Sequence, residues 1–220
     1  SETQARIDAD WIDEQGNAYN YRDDVISILF MGIDYMGDEK NWFYATESNG
    51  GNADVIGLVI LDTRTFDFSM LYIPRDTMAD VIAMDANGQY LDTVYTNIST
   101  AHSYGDGKDL SCRLTTDAVS RLLYGAPVSR YVALDYDALY TLNDLIGGLT
   151  ITFDDDYTEI HSTFTKGSTV TLNRWYMDKF ITYRSETDLE GAYKRGMRSM
   201  AVMKALFNQC KGKIVADPAV

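Results

Sequence analysis

The sequence predicts a mixed α/β (α+β) domain, a central mixed β-sheet with helices packed on it, and three observations carry that reading. VISILFMGI, Val25 to Ile33, is an almost unbroken apolar and β-branched run, the pattern of a strand covered on both faces. VIGLVILD and FSMLYI, separated only by the polar TRTFD, read as a hairpin. In the second half, helix-periodic segments that stop at glycine alternate with strand-like ones.

In chain order, residues 1–22 are polar and charged and read as an outer leader, leaving 23–220 as one domain. The first strand delivers Asp34, and DYMGDEKNWFYATESNGGNAD after it has the glycine and asparagine content of a long loop, a common place for function. The hairpin occupies Val55 to Ile73. Beyond Pro74 the pattern weakens until LSCRLTTDAVSRLLYG, where Leu110, Leu114, Ala118 and Leu122 recur at helical spacing before Gly125. VSRYVALD and LTITFD read as strands around the helix DYDALYTLNDLIGG, whose Leu139, Leu142, Leu145 and Ile146 form one side. DDDYTEI reads as an acidic loop. TLNRWYMDKFITYR predicts a short helix capped by Asn173. DLEGAYKRGMRSMAVMKALFNQC predicts a long one with Tyr193, Met197, Met200, Ala201 and Phe207 inward.

With 220 residues, 45% hydrophobic, the chain can bury a large core. Its formal net charge of −14 opposes a phosphate backbone, so no nucleic acid partner is expected. No run of about 18 uncharged apolar residues spans a bilayer. The acidic start without methionine raises the expectation of an anchor upstream of these residues. Cys112 and Cys210 lack zinc-site spacing and leave two readings open, one long-range disulfide or two ordinary thiols.

Chemistry concentrates in three places. Asp34 ends the first strand and Asp54 precedes the second, so antiparallel pairing would bring the two carboxylates to one sheet edge, an arrangement that suits Mg²⁺; strand-end aspartates of no special role are the alternative. Arg75 follows Pro74 in LYIPRDTM. It reads either as a surface pair with Asp76 or as a rigidly presented guanidinium for phosphate. Arg184, Lys194, Arg195 and Arg198 form a late basic cluster, either a solvated helix face or an anion site in an otherwise acidic chain.

VISILFMGID, GGNADVIGLVILD, FSMLYIPRDTM, NISTAHSYGDG, YVALDYDALYTLNDLIGGLTITF and FITYRSETDLEGAYKRGMRSMAVMKAL resemble, in order and form, the LytR-CpsA-Psr domain over about residues 25–208. The resemblance implies a sheet flanked by helices on both sides, with an apolar pocket for a lipid tail and a polar mouth for pyrophosphate. It implies a membrane-anchored, extracytoplasmic, cell-surface phosphotransferase that moves a glycopolymer, teichoic acid or capsule, from a polyprenyl-(pyro)phosphate carrier to peptidoglycan. Asp34 and Asp54 match the metal-binding aspartates, for Mg²⁺ or alternatively Mn²⁺. Arg75 and Asp76 match the SIPRD motif, Arg184 the second arginine of an RxR pair, and Arg195 and Arg198 the GRxxRQ-like helix, together holding the lipid pyrophosphate.

The chain departs from that pattern at Asn52 and Ala53, where arginine and serine usually precede the second aspartate, at Thr182, and at Ser199 in place of glutamine. The usual acid before Arg195 is displaced, leaving Asp188 and Glu190 as substitutes for a general base. These losses keep two alternatives in play, a non-catalytic binder of lipid carrier or glycan and a prenyl-pyrophosphate phosphohydrolase.

Overall fold

β3 (Val25–Asp34) is the axis of the fold because both its faces are apolar. Leu29, Met31 and Ile33 point into one core, and Phe30 points the other way. A computed structural model describes residues 9–34, 51–85, 87–185 and 190–216. In it β3 pairs antiparallel with β4 (Asn52–Asp62) and parallel with β8 (Arg130–Leu134), while β5 (Phe68–Ile73) adds antiparallel to β4. The order β5-β4-β3-β8 is the expected mixed central sheet, and β4–β5 is the expected hairpin.

Helices cover both faces. Against Leu29, Met31, Ile56 and Leu58 pack a 3₁₀ helix (Ile98–Tyr104) and α1 (Asp109–Leu122), through Ile98, Ala101, Cys112, Ala118 and Val119. On the opposite face lie α2 (Tyr136–Leu145) and α4 (Gly191–Ala216), the latter setting Phe207 edge-on to Phe30 with centroids 4.9 Å apart. A second core, built on Phe153, Phe164, Phe180, Leu172, Met177 and Val202, joins α4 to α3 (Arg174–Thr182) and the hairpin of β9 (Leu149–Thr152) and β10 (Thr169–Leu172). Asn173 caps α3 by accepting from the Tyr176 N–H at 2.8 Å, as its sequence position predicts.

Several elements escape the sequence pattern. β6 (Met78–Met84) and β7 (Tyr90–Asn97) form a ribbon whose β7 strand is mostly exposed and mixes polar with apolar residues, so no clean alternation marks it. β10 is threonine-rich for the same reason. Residues 1–22, expected as a leader, contain the short hairpin β1 (Trp11–Ile12) and β2 (Ala18–Tyr19), held by Asp13 accepting from the Asn17 N–H at 2.7 Å.

Two predicted apolar stripes are corrected. Leu145 is 77% exposed, because α2 turns Asn143 inward, where it donates to Leu172 O and accepts from the Leu149 N–H, both at 2.8 Å. Tyr193 and Met197 are exposed on α4, whose contact with the sheet runs through Gly196 together with the expected Met200 and Phe207. Glycine carries no hydrophobic signal, so the periodicity misplaced that face. Cys112 and Cys210 are both free thiols. The loop expectation for residues 35–50 lies outside the described residues.

Candidate functional site

The β3–β4 ladder places Val55 opposite Gly32 and Ala53 opposite Ile33, so Asp54 is the extra residue of a β-bulge. A bulge re-aims one side chain out of the alternation. Here it lets Ala53 enter the core beside Ile33 while Asp54 turns to the other face. Gly32 permits the kink, since a β-carbon on it would stand 3.0 Å from that of Val55. Beneath the bulge, the buried His102 donates from Nδ1 to Gly51 O at 3.1 Å, the carbonyl fixing that nitrogen as the protonated one, and Ser103 Oγ donates to Asn52 at 3.1 Å.

Asp54 is 7% exposed and receives two guanidiniums. Arg75 Nη1 donates to one carboxylate oxygen and Arg195 Nη2 to the other, at 3.0 Å in the second case. Arg75 is presented rigidly. Pro74 fixes the chain and accepts from the Thr77 N–H at 2.9 Å, and Arg75 O accepts from Ser99 N–H at the start of the 3₁₀ helix, 3.2 Å away. The expected Arg75–Asp76 pair is secondary, with Nε–Oδ1 at 3.6 Å and Asp76 largely exposed. Arg195 arrives from the first turns of α4, brought down by Gly196.

Asp34 and Asp54 line the same cavity, as the antiparallel reading requires. Its other walls are apolar, including Phe30, Ile33, Val55, Leu139, Ile181 and Val202, and its volume is about 80 Å³. Among the described residues no cation pairs with Asp34. Tyr136, at the first position of α2, also lines the cavity. Burial pushes its phenol pKa above the ordinary value, with the charges of Arg195, Asp34, Asp54 and Arg184 within electrostatic reach. Sequence reasoning missed Tyr136, although its signal was present: Asp135 caps α2 by accepting from the Ala138 N–H at 2.7 Å, which fixes where the helix starts.

The late arginines separate. Arg195 is in the site, whereas Arg198, placed there by sequence, is 4% exposed and faces the second core. It donates to Phe180 O at 2.7 Å and to Tyr183 O, tying the end of α3 to α4. Residues three apart on a helix share a side only approximately. Burial lowers the Arg198 pKa from the ordinary guanidinium value, but the group stays a cation. Arg184 lies on an exposed stretch just after α3. Glu190 is exposed at the start of α4, and Asp188 lies outside the described residues.

The departures acquire structural meaning. Ala53 is fully buried, Asn52 is bound to Ser103, and Thr182 Oγ1 donates to Asp178 O at 2.7 Å within α3. Ser199 lines the cavity and donates to Arg195 O at 3.2 Å. Three carboxylates line the cavity, Asp34, Asp54 and the helix-capping Asp135, and Arg75 and Arg195 bind Asp54, so oxygen donors for a hard cation and guanidinium donors for an anion stand side by side.

The chain is similar to known proteins over most of its length. The LytR-CpsA-Psr family model matches residues 2–215. The polyisoprenyl-teichoic acid–peptidoglycan teichoic acid transferase TagV of Bacillus subtilis (strain 168) is 30% identical over 208 residues, 89% of this chain and 48% of TagV. The corresponding TagU of Bacillus cereus (strain AH820) is 24% identical over 184 residues, 84% of this chain and 52% of TagU. The chain thus spans about half the length of the curated relatives it matches. The crystal structure of B. subtilis TagV superposes with a TM-score of 0.61 at 27% identity, covering 86% of this chain and 66% of that one. TagT (YwtF) with bound octaprenyl pyrophosphate lipid shares the fold at a TM-score of 0.57 and 23% identity, covering 86% and 66%. On the motifs, the sheet order and the match over nearly its whole length, the chain belongs to the LytR-CpsA-Psr family.

Proposed function

We propose that this domain transfers a glycopolymer of the teichoic acid or capsule type from a polyprenyl-(pyro)phosphate carrier to peptidoglycan, outside the cytoplasmic membrane, in a protein held to the membrane by a segment outside these residues. The observation that carries the reading is the Arg75–Asp54–Arg195 cluster beside Asp34 at the polar end of an apolar cavity. The names of the relatives support the activity, and the octaprenyl pyrophosphate bound by TagT supports the ligand class.

In this reading the acceptor oxygen forms a bond to the glycan-linked phosphorus and gives up its proton to solvent water, the bond from that phosphorus to the bridging oxygen breaks, and prenyl phosphate leaves with the bonding pair. Arg75 and Arg195 swing from Asp54 onto the pyrophosphate oxygens and neutralise the charge that grows on the leaving group. The donor set fits Mg²⁺ or Mn²⁺: Asp34 and Asp54 supply two hard carboxylates, and a cation of this kind takes its remaining ligands from phosphate and water. When bound, the ion would act as a Lewis acid on the phosphoryl oxygens. Arg184, exposed just after α3 with its charge within reach of Tyr136, would meet the phosphate from the solvent side.

The prenyl chain would occupy the cavity, where each buried CH₂ contributes roughly 0.8 kcal/mol. A volume of about 80 Å³ is small for a polyprenyl tail, so α2 and α4 must part from the sheet as it enters. Met203, a flexible side chain in the wall, eases that widening.

The test combines the protein, a polyprenyl-pyrophosphate-linked glycan, a peptidoglycan acceptor, and Mg²⁺, Mn²⁺ or a chelator. Glycan bound covalently to the acceptor is the expected product. Prenyl phosphate released without transfer, though acceptor is present, would make the protein a phosphohydrolase. Retention of the lipid with neither product would leave a binding protein.

A further inference from the structure

A second cleft lies far from the acidic pair, beside the N-terminal hairpin and the end of α1. It has a volume of about 250 Å³ and is walled by Trp11, Tyr19, Tyr21 and Tyr124, with Asp10 and Asn20 among its lining residues. Trp11 and Tyr19 are cross-strand partners whose ring centroids stand 5.3 Å apart, and each of the four rings is at least 44% exposed. Nothing in the fold requires four large aromatic side chains to gather on the surface of a hairpin with two-residue strands.

Tyr124 adds an independent observation. Its φ of 56° lies in the left-handed region, and its side chain is 86% exposed. That conformation belongs to the end of α1, where the Tyr124 N–H donates to Arg121 O at 3.1 Å and the Gly125 N–H to Ser120 O at 2.8 Å, and this cap holds the exposed ring beside the cleft.

The chemistry of the walls selects the ligand. No lining residue is cationic, Asp10 contributes a carboxylate, and the chain carries a formal net charge of −14. Asp10 accepts from Tyr21 N–H at 2.8 Å through one carboxylate oxygen, which fixes the carboxylate beside the rings and leaves its second oxygen open; Asn20 Oδ1 accepts from Asp10 N–H at 3.1 Å. A cation bearing methyl groups needs only ring faces and a nearby negative charge.

We propose that the Trp11–Tyr19–Tyr21–Tyr124 cleft is an aromatic cage for an alkylammonium cation, a binding site separate from the pyrophosphate centre and independent of whether that centre is catalytic. The cage closes on the cation from the hairpin on one side and Tyr124 on the other, with Asp10 as counter-charge.

The test uses choline and its neutral tert-butyl isostere, in which carbon replaces the quaternary nitrogen, followed by the NMR signal of the Trp11 indole N–H. Choline should give a saturable shift, and the isostere should bind about tenfold more weakly or worse. Tyr124→Gly relieves the strained φ, so the melting temperature should rise while choline affinity falls about tenfold. Asp10→Asn should weaken choline several-fold and leave the isostere unaffected. Equal affinity for choline and isostere, or Tyr124→Gly binding as tightly as the parent, would overturn the proposal, as would a glucose titration that saturates more tightly than choline.

Discussion

Gly196 lies so close to Tyr72 that a β-carbon built on it would stand 1.8 Å from the phenol oxygen. Gly57, the cross-strand partner of Tyr72, meets Met200 in the same way, 2.7 Å from its sulfur to the built β-carbon. The two contacts set the depth at which α4 rests on the sheet, and that depth is what lets Arg195 reach Asp54.

Gly196→Ala therefore tests the seating of the helix. In an unconstrained helix the change stabilises by about 1 kcal/mol. Here it should destabilise by roughly 1–3 kcal/mol through overpacking and lower the proposed transfer activity by drawing Arg195 from Asp54. Adding Tyr72→Ser should restore most of both, a non-additivity read by thermal melts and activity assays on the four proteins of the cycle.

Arg75 and Arg195 divide one carboxylate between them. Arg75→Lys keeps a charge but loses the planar fork, so pyrophosphate affinity measured by calorimetry should fall about tenfold or more. Arg75→Ala should fall further. Equal affinity in all three proteins would remove Arg75 from the anion site.

The same sharing predicts linkage between metal and anion. With both Asp54 oxygens held by arginine, Mg²⁺ alone should bind weakly. Pyrophosphate, by drawing the arginines away, should tighten Mg²⁺, and Mg²⁺ should tighten pyrophosphate by the same factor. Titrating Mg²⁺ with and without pyrophosphate reads this directly. In Asp34→Asn the coupling should shrink.

Arg198 predicts a loss of stability. Arg198→Met leaves the Phe180 and Tyr183 carbonyls without a donor, at a cost of roughly 2–4 kcal/mol in denaturant unfolding. Activity per folded molecule should remain near that of the parent. A variant that folds normally yet transfers nothing would place Arg198 in the chemistry after all.

Acid sensitivity should concentrate at Asp62. The backbone N–H of Arg64, then the guanidinium of Arg22, hold its carboxyl down to about 2, against 3.8 for a free aspartate. Because the folded value is depressed, its contribution is fully present above about pH 4 and is lost as the pH falls toward 2. In Asp62→Asn the difference from the parent in denaturation midpoint should be largest near pH 5 and shrink by pH 2.

Much of this site was legible in the sequence. The run from Val25 to Ile33 could only be a strand buried on both faces. A short polar turn forced the next two strands together, and Pro74 fixed where Arg75 leaves the third. Each rests on local chemistry: side-chain periodicity, turn length and the restricted φ of proline. The strand ends also brought Asp34 and Asp54 to one sheet edge and the scarcity of cations singled out Arg195; the family motifs added their roles toward metal and pyrophosphate.

Tertiary structure alone decided which of those charges meet. A bulge of one residue, invisible to alternation, turns Asp54 out of the core that takes Ala53. The depth of α4, set by glycines with no hydrophobic signal, sends Arg195 to the site, while Arg198, one turn on, goes to the carbonyls of α3. The aromatic cleft likewise needs Trp11 and Tyr124 brought together from over a hundred residues apart. Sequence fixes what each residue can do; where long-range packing holds it decides which of those things it does.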